Sequence, residues 1–206
     1  MFFKIETLFR PLFACPLCGI DRQQAHGICQ DCWTELPWLK DTIVRHEHPI
    51  LIALNYDFPI DRIIQLYKYE QQLQYQHFLA ATLLNLKLPK IQAIVPMPIS
   101  KQRLAERGYN QMLMIAKRLS QALNIPVWQP VERLAQHAQK GLSRVERLEN
   151  IEHQFQIIST ERRKYKNVLI IDDVVTTGSS LHALSQALER LGCTRIHMAC
   201  IAAAQT

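Results

Sequence analysis

Two adjacent carboxylates followed by small hydroxyl residues mark the stretch VLIIDDVVTTGSS, residues 168–180. Asp172 and Asp173 end an apolar run that reads as a strand. Successive strand side chains point to opposite faces, so the pair need not share a proton. One carboxylate can face a ligand while the other orients the loop or meets a metal ion. Carboxylates accept hydrogen bonds from sugar hydroxyls in pairs and are hard oxygen ligands suited to Mg²⁺. After Val174 and Val175 come Thr176, Thr177, Gly178, Ser179 and Ser180, at the start of a helical pattern. A helix N-terminus offers free N–H groups and the positive end of a dipole, which suit a phosphate. Hydroxyl and phosphate recognition a few ångströms apart is what a ribose 5-phosphate requires. Glycine spacing disfavours two other phosphate chemistries. The six glycines, at 19, 27, 108, 141, 178 and 192, form neither GxxxxGK[ST] nor GxGxxG, so an ATPase P-loop and a dinucleotide fingerprint are both missing.

A second constellation lies near the start. CPLC, ten residues, then CQDC places Cys15, Cys18, Cys29 and Cys32 as two CxxC knuckles. Four soft thiolates suit a closed, structural Zn²⁺ site with no open position for catalysis. So short a segment cannot fold on its own burial, and metal binding, about 10–16 kcal/mol in small zinc peptides, would supply its stability. A redox CxxC is the alternative, and the doubling of the motif disfavours it. Glu6 and Arg10 interrupt what a secretory leader would need as its apolar segment. A reducing cytoplasm is therefore expected, which argues against disulfides. No apolar run approaches the roughly 18 residues of a membrane span. Phe2, Ile5, Phe9, Leu12 and Phe13 recur at helical spacing. They predict a short helix, docked on the body or used at a membrane surface or partner.

Elements must position both sites. Residues 1–38 read as the N-terminal helix and zinc module, and residues 39–206 as a larger α/β domain. Strands are expected at 50–56, 91–96, 125–128, 168–172 and 195–202. Helices are expected at 59–69 and 75–86, over one long span from Leu104 to Leu123, and at 180–191, closed by Gly192. Residues 134–153 lack a period and read as a loop. Strands alternating with helices imply a parallel sheet covered on both faces. Ligands of such sheets bind at the carboxyl ends of strands, which brings PMPIS (96–100) and the 172–180 segment to one place. The net charge is +6, and residues 101–149 carry nine basic against four acidic residues. The run ERRKYK (161–166) adds four against one. This basic middle section suits phosphates or nucleic acid, or forms a solvated surface.

The assembled pieces resemble the ComF/GntX family of bacterial proteins, which join a four-cysteine zinc ribbon to a phosphoribosyltransferase-like domain. Residues 168–180 fit the phosphoribosyl pyrophosphate (PRPP) motif of type I phosphoribosyltransferases at every position. CPLC…CQDC, LYKYE (66–70), IVPMPISKQRLAERGYNQ (94–111) and QKGLSRVERLEN (139–150) complete the likeness in order. The resemblance implies a parallel-sheet, type I phosphoribosyltransferase-like fold. It implies catalytic Asp172 and Asp173 holding ribose hydroxyls and Mg²⁺, and a 5-phosphate loop of Val175 to Ser180. Met97, Pro98, Ile99 and Ser100 would form the pyrophosphate loop. Lys101, Arg103 and Arg107 would neutralise pyrophosphate or form a helix's basic face. Lys140, Arg144 and Arg147 would sit on a loop closing over substrate, or carry surface charge. No segment specifies the acceptor. The family's link to natural competence implies single-stranded DNA and a competence helicase as partners. It also implies a place at the cytoplasmic side of the inner membrane.

Overall fold

The computed structural model describes residues 10–134, 154–158 and 164–204. Most of the expected N-terminal helix, nearly all of the expected 134–153 loop, and Lys140, Arg144 and Arg147 lie outside them.

Strands β1 (Trp38–Arg45), β2 (His48–Asn55), β3 (Ala93–Pro96), β6 (Asn167–Val175) and β7 (Arg195–Ala203) form a sheet ordered β1-β2-β7-β6-β3. Only the β1–β2 pair is antiparallel. The central strands are nearly continuous runs of Ile, Leu, Val and Ala with both faces covered, and β3 is buried at every position. This is the pattern parallel strands need. On the outer side of β3, Val127 makes a parallel bridge to Ile94, so the expected 125–128 strand is a single bridge. The chain thus steps outward from β3 to Val127, then returns to β6. Strand order reverses between β3 and β6, and in such sheets that is where ligands bind.

Helix α1 (Gln30–Thr34) belongs to the N-terminal module, and α2 (Ile60–Tyr69) follows β2. Helix α3 (Tyr75–Leu84) packs on β2 and β7 and against α5 (Gln111–Leu123), which packs on β3 and β6. The expected long helix from Leu104 is two helices. Helix α4 (Lys101–Arg107) ends at Gly108, whose φ of 78° is left-handed, and Asn110 then caps α5 by accepting from the N–H groups of Met112 and Leu113. Helix α6 (Ser179–Arg190) joins β6 to β7 and ends one residue before its expected boundary. Two short strands, β4 (Val131–Arg133) and β5 (Phe155–Ile157), pair antiparallel.

Strand β1 was not anticipated. Lys and Asp interrupt its apolar pattern because it is a half-exposed edge. Its register with β2 shifts between Trp38 and Asp41, with Lys40 at φ 48°. The N-terminal module packs on α3. The Tyr75 hydroxyl donates to Pro16 O at 3.4 Å, His77 Nε2 lies 2.6 Å from Ala25 O, and Trp33 meets Phe78 edge-on.

Candidate functional site

The four cysteines converge. Their Sγ atoms all lie within 4.8 Å of one another, and Sγ of Cys18 is 3.8 Å from that of Cys29. A tetrahedron with Zn–S bonds of about 2.3 Å has edges of about 3.8 Å, so the spacing fits zinc. Gly19 and Gly27 take positive φ, 71° and 90°, near the two ends of the loop between the CxxC pairs. The Ile20 N–H donates to Cys18 Sγ and the Cys32 N–H to Cys29 Sγ. Backbone N–H groups lower the Cys18 thiol to about 7, whereas burial raises those of Cys29 and Cys32, so a metal's charge is what would hold the set as thiolates.

The carboxylate pair sits at the carboxyl end of β6, beside the point where strand order reverses. Asp173 is buried and turned toward the helices: Lys68 Nζ on α2 reaches its Oδ1 at 2.7 Å, and Gln111 Nε2 on α5 lies 3.4 Å from its Oδ2. Asp172 accepts from the Asp173 N–H at 2.9 Å. Burial, and then the Asp173 charge, push its carboxyl up to about 7, against the pull of Lys68 and Arg133. Its environment therefore favours a proton or a cation in the ligand-free protein.

The 97–100 loop is fixed to the same strand. The Met97 N–H donates to Ile171 O at 3.0 Å, and Asn110 Nδ2 donates to Met97 O at 3.2 Å. Met97 is buried, and Pro98, Ile99 and Ser100 are partly exposed. Ser100 caps α4 by accepting from the Arg103 N–H. The basic residues after it diverge. Lys101 is exposed and 3.5 Å from Glu132, and Arg103 is exposed. Arg107 is buried with its guanidinium over the Tyr69 ring, 4.7 Å from the centroid.

Val175, the last residue of β6, is buried, while Thr176 and Thr177 beyond it are exposed. Gly178 turns the chain at φ 80° into α6. The Thr177 and Ser179 hydroxyls are 3.0 Å apart. Arg133, at the end of β4, donates to Ser180 Oγ at 3.2 Å and to Gln154 Oε1 at 3.1 Å. Its backbone bridges to Ser100, so one arginine touches both loops. Burial, and then the neighbouring charge of Arg103, lower its proton affinity, and an anion would relieve both. Lys68, Gln111 and Arg133 are additions to the residues expected from sequence. Lys68 and Gln111 stand within LYKYE and RGYNQ, where chain pattern alone gives them no role. Arg133 is one arginine among many in a basic stretch. The tyrosines set among basic residues, Tyr109 and Tyr165, are packed edge-on against Tyr67 and Trp128.

Residues 113–206 match the phosphoribosyl transferase domain. Over 198 residues the chain is 32% identical to competence protein F of Haemophilus influenzae, covering 89% of this chain and 82% of that protein. The chain belongs to the competence protein F family. It is also 27% identical over 184 residues to competence protein ComFC of Bacillus subtilis, across 86% of this chain and 72% of that one. With DNA utilization protein YhgH of Escherichia coli K12 it shares 27% over 201 residues, 91% and 82% of the two chains. Membership of the ComF family accounts for a four-cysteine module and a phosphoribosyltransferase-like sheet in one chain. No helix among the described residues is long and apolar enough to cross a membrane.

Proposed function

We propose that this ComF-family chain binds PRPP or a related ribose phosphate and acts in the uptake of single-stranded DNA during competence. The observation that carries the reading is the junction of β6 with α6. There Asp172 and Asp173 stand a few residues before the hydroxyl loop at a helix N-terminus, with the 97–100 loop hydrogen-bonded to the same strand. Asp172 would take ribose hydroxyls, Val175 to Ser180 the 5-phosphate, and Met97 to Ser100 the pyrophosphate. Arg133, with Arg103, would oppose the pyrophosphate charge. Asp172 would hold Mg²⁺, which suits a hard carboxylate donor and would screen the leaving group, while both oxygens of Asp173 already accept, from Lys68, the Val174 N–H and Gln111. Lys68 already offsets part of the charge of the pair.

The reaction that suits such a site is substitution at the anomeric carbon. The C–O bond to pyrophosphate breaks, pyrophosphate leaves with the bonding pair, and an acceptor nitrogen forms the new bond. The relatives are named for competence and for DNA utilization, and on this reading single-stranded DNA and a DNA-translocating helicase are the partners of a cytoplasmic protein.

The test is thermal melting of zinc-loaded protein with PRPP and Mg²⁺, beside Asp172→Ala/Asp173→Ala. Ligand at about 100 times Kd adds roughly 2.7 kcal/mol, or about 5–10 °C for a chain of this length. The expected outcome is a rise that the double variant loses. Equal melting with and without PRPP in the unaltered protein would overturn the reading.

A further inference from the structure

The turn joining β1 to β2 meets the 176–180 loop, and its sequence does not favour the conformation it holds. His46 and Glu47 form a two-residue turn closed by the Arg45–His48 pair, with φ of 48° and 65°. Hairpin turns with two positive φ values are ordinarily built from Asn-Gly or Asp-Gly. At two residues with long side chains the backbone is strained, and such strain persists only where the surroundings hold it.

The turn delivers side chains to the loop. Arg45 Nε donates to Thr176 O at 3.2 Å. His46 Nε2 lies 3.4 Å from Ser179 Oγ, at the outer edge of hydrogen-bond range. The His46 ring stacks on His182 of α6, centroids 4.9 Å apart and planes within 15°. His182 is in turn 5.4 Å from His48, whose Nε2 is 3.5 Å from Ser185 Oγ. The titratable and charged groups around His46 are thus Arg45, Glu47, His182 and His48, with the Ser179 hydroxyl at its Nε2. His46 is exposed, and stacking on His182 holds its ring with Nε2 toward Ser179.

We propose that His46, in its protonated form, is a ligand for the phosphate group held by the 176–180 loop. This rests on reading that loop as a phosphate site. Both nitrogens of an imidazolium donate, and a charge-assisted bond from Nε2 to a phosphate oxygen is stronger than a neutral one. The bound phosphate raises the proton affinity of the imidazole. The added affinity belongs to the protonated ring alone and is lost when alkali removes its proton. Phosphate binding is thereby coupled to pH through a residue from the far end of the chain.

Calorimetry with ribose 5-phosphate on the zinc-loaded full chain, near pH 6 and near pH 8.5, tests this with two variants. His46→Asn removes the imidazole and tolerates positive φ, so its melting temperature should equal or exceed that of the unaltered protein. Its affinity should be about tenfold lower near pH 6, with the ratio shrinking near pH 8.5. The phosphate's own ionisation affects both proteins and cancels in the ratio. Glu47→Gly relieves the same strain, keeps the imidazole and should bind as the unaltered protein does. Equal affinity of His46→Asn at both pH values would overturn the proposal and leave the loop's phosphate site standing. An equal loss in Glu47→Gly would assign the effect to turn geometry and overturn it as well. No binding by the unaltered protein would overturn the reading of the loop and the proposal together.

Discussion

Asp172 sits in an environment that suits a ligand better than it suits the folded chain alone. Its carboxyl is pushed from the ordinary 3.8 up to about 7 by burial and by Asp173. The unfolded carboxyl gives up its proton near pH 4, the folded one only near 7. Between those values the unfolded state binds fewer protons, so stability falls as pH rises, and the penalty is complete above 7. Asp172→Asn should therefore raise the melting temperature of ligand-free protein at about pH 8 and leave it unchanged near pH 4. The same variant should lose its response to PRPP. Calorimetric scans at the two pH values check the first part, and PRPP titration checks the second. A gain in stability with a loss of binding is the usual mark of a residue kept for function. At this scale the sequence was legible where chemistry is contiguous. The aspartates and hydroxyls stand in one stretch, and two CxxC pairs announce their own geometry. Lys68, Gln111, Arg133 and His46 reach the site from elsewhere in the chain, and only the fold joins them to it.

The turn from β6 to α6 depends on a single glycine. Gly178 has φ 80°, and a Cβ placed on it would lie 2.7 Å from Arg45 Cβ. Gly178→Ala must adopt a left-handed conformation, costing roughly 1–2 kcal/mol, and must also push the β1–β2 hairpin away. A fall of at least about 4 °C in melting temperature is expected, with weaker ribose 5-phosphate binding. Retention of both would mean that the loop and hairpin move apart freely. Legibility of the elements followed burial. Strands β2, β3, β6 and β7 are apolar runs and were expected, whereas β1, exposed along much of one face, carries too many polar residues to register as a strand. The break between α4 and α5 is hidden in the sequence for a geometric reason. Leu104 and Met112 are eight residues apart, about 80° beyond two helical turns, which still falls within an apolar stripe about 100° wide, so the pattern runs on across Gly108.

Taken whole, the molecule packs its four-cysteine module on α3, which lies beside α5 on the sheet. Contacts run from Ala25 and Pro16 to α3, from Gln76 on α3 to Met114 O on α5 at 3.0 Å, and from Gln111 at the start of α5 to Asp173. Removing zinc with a chelator, or making Cys29→Ser, should unfold the module and strip α3 of its cover. Hydrogen exchange should then quicken over Tyr75–Leu84 while β6 and β7 stay protected. Uniform quickening across the sheet would show instead that module and sheet unfold as one unit. The open flank of the sheet has its own consequence. Among the described residues β1 has no strand beyond it, and an unpaired edge is a template on which a second chain can add. Here the edge carries Lys40, Asp41 and Arg45, and it is bent where the register slips. A charged, kinked margin of this kind gives a neighbouring strand no straight ladder to join.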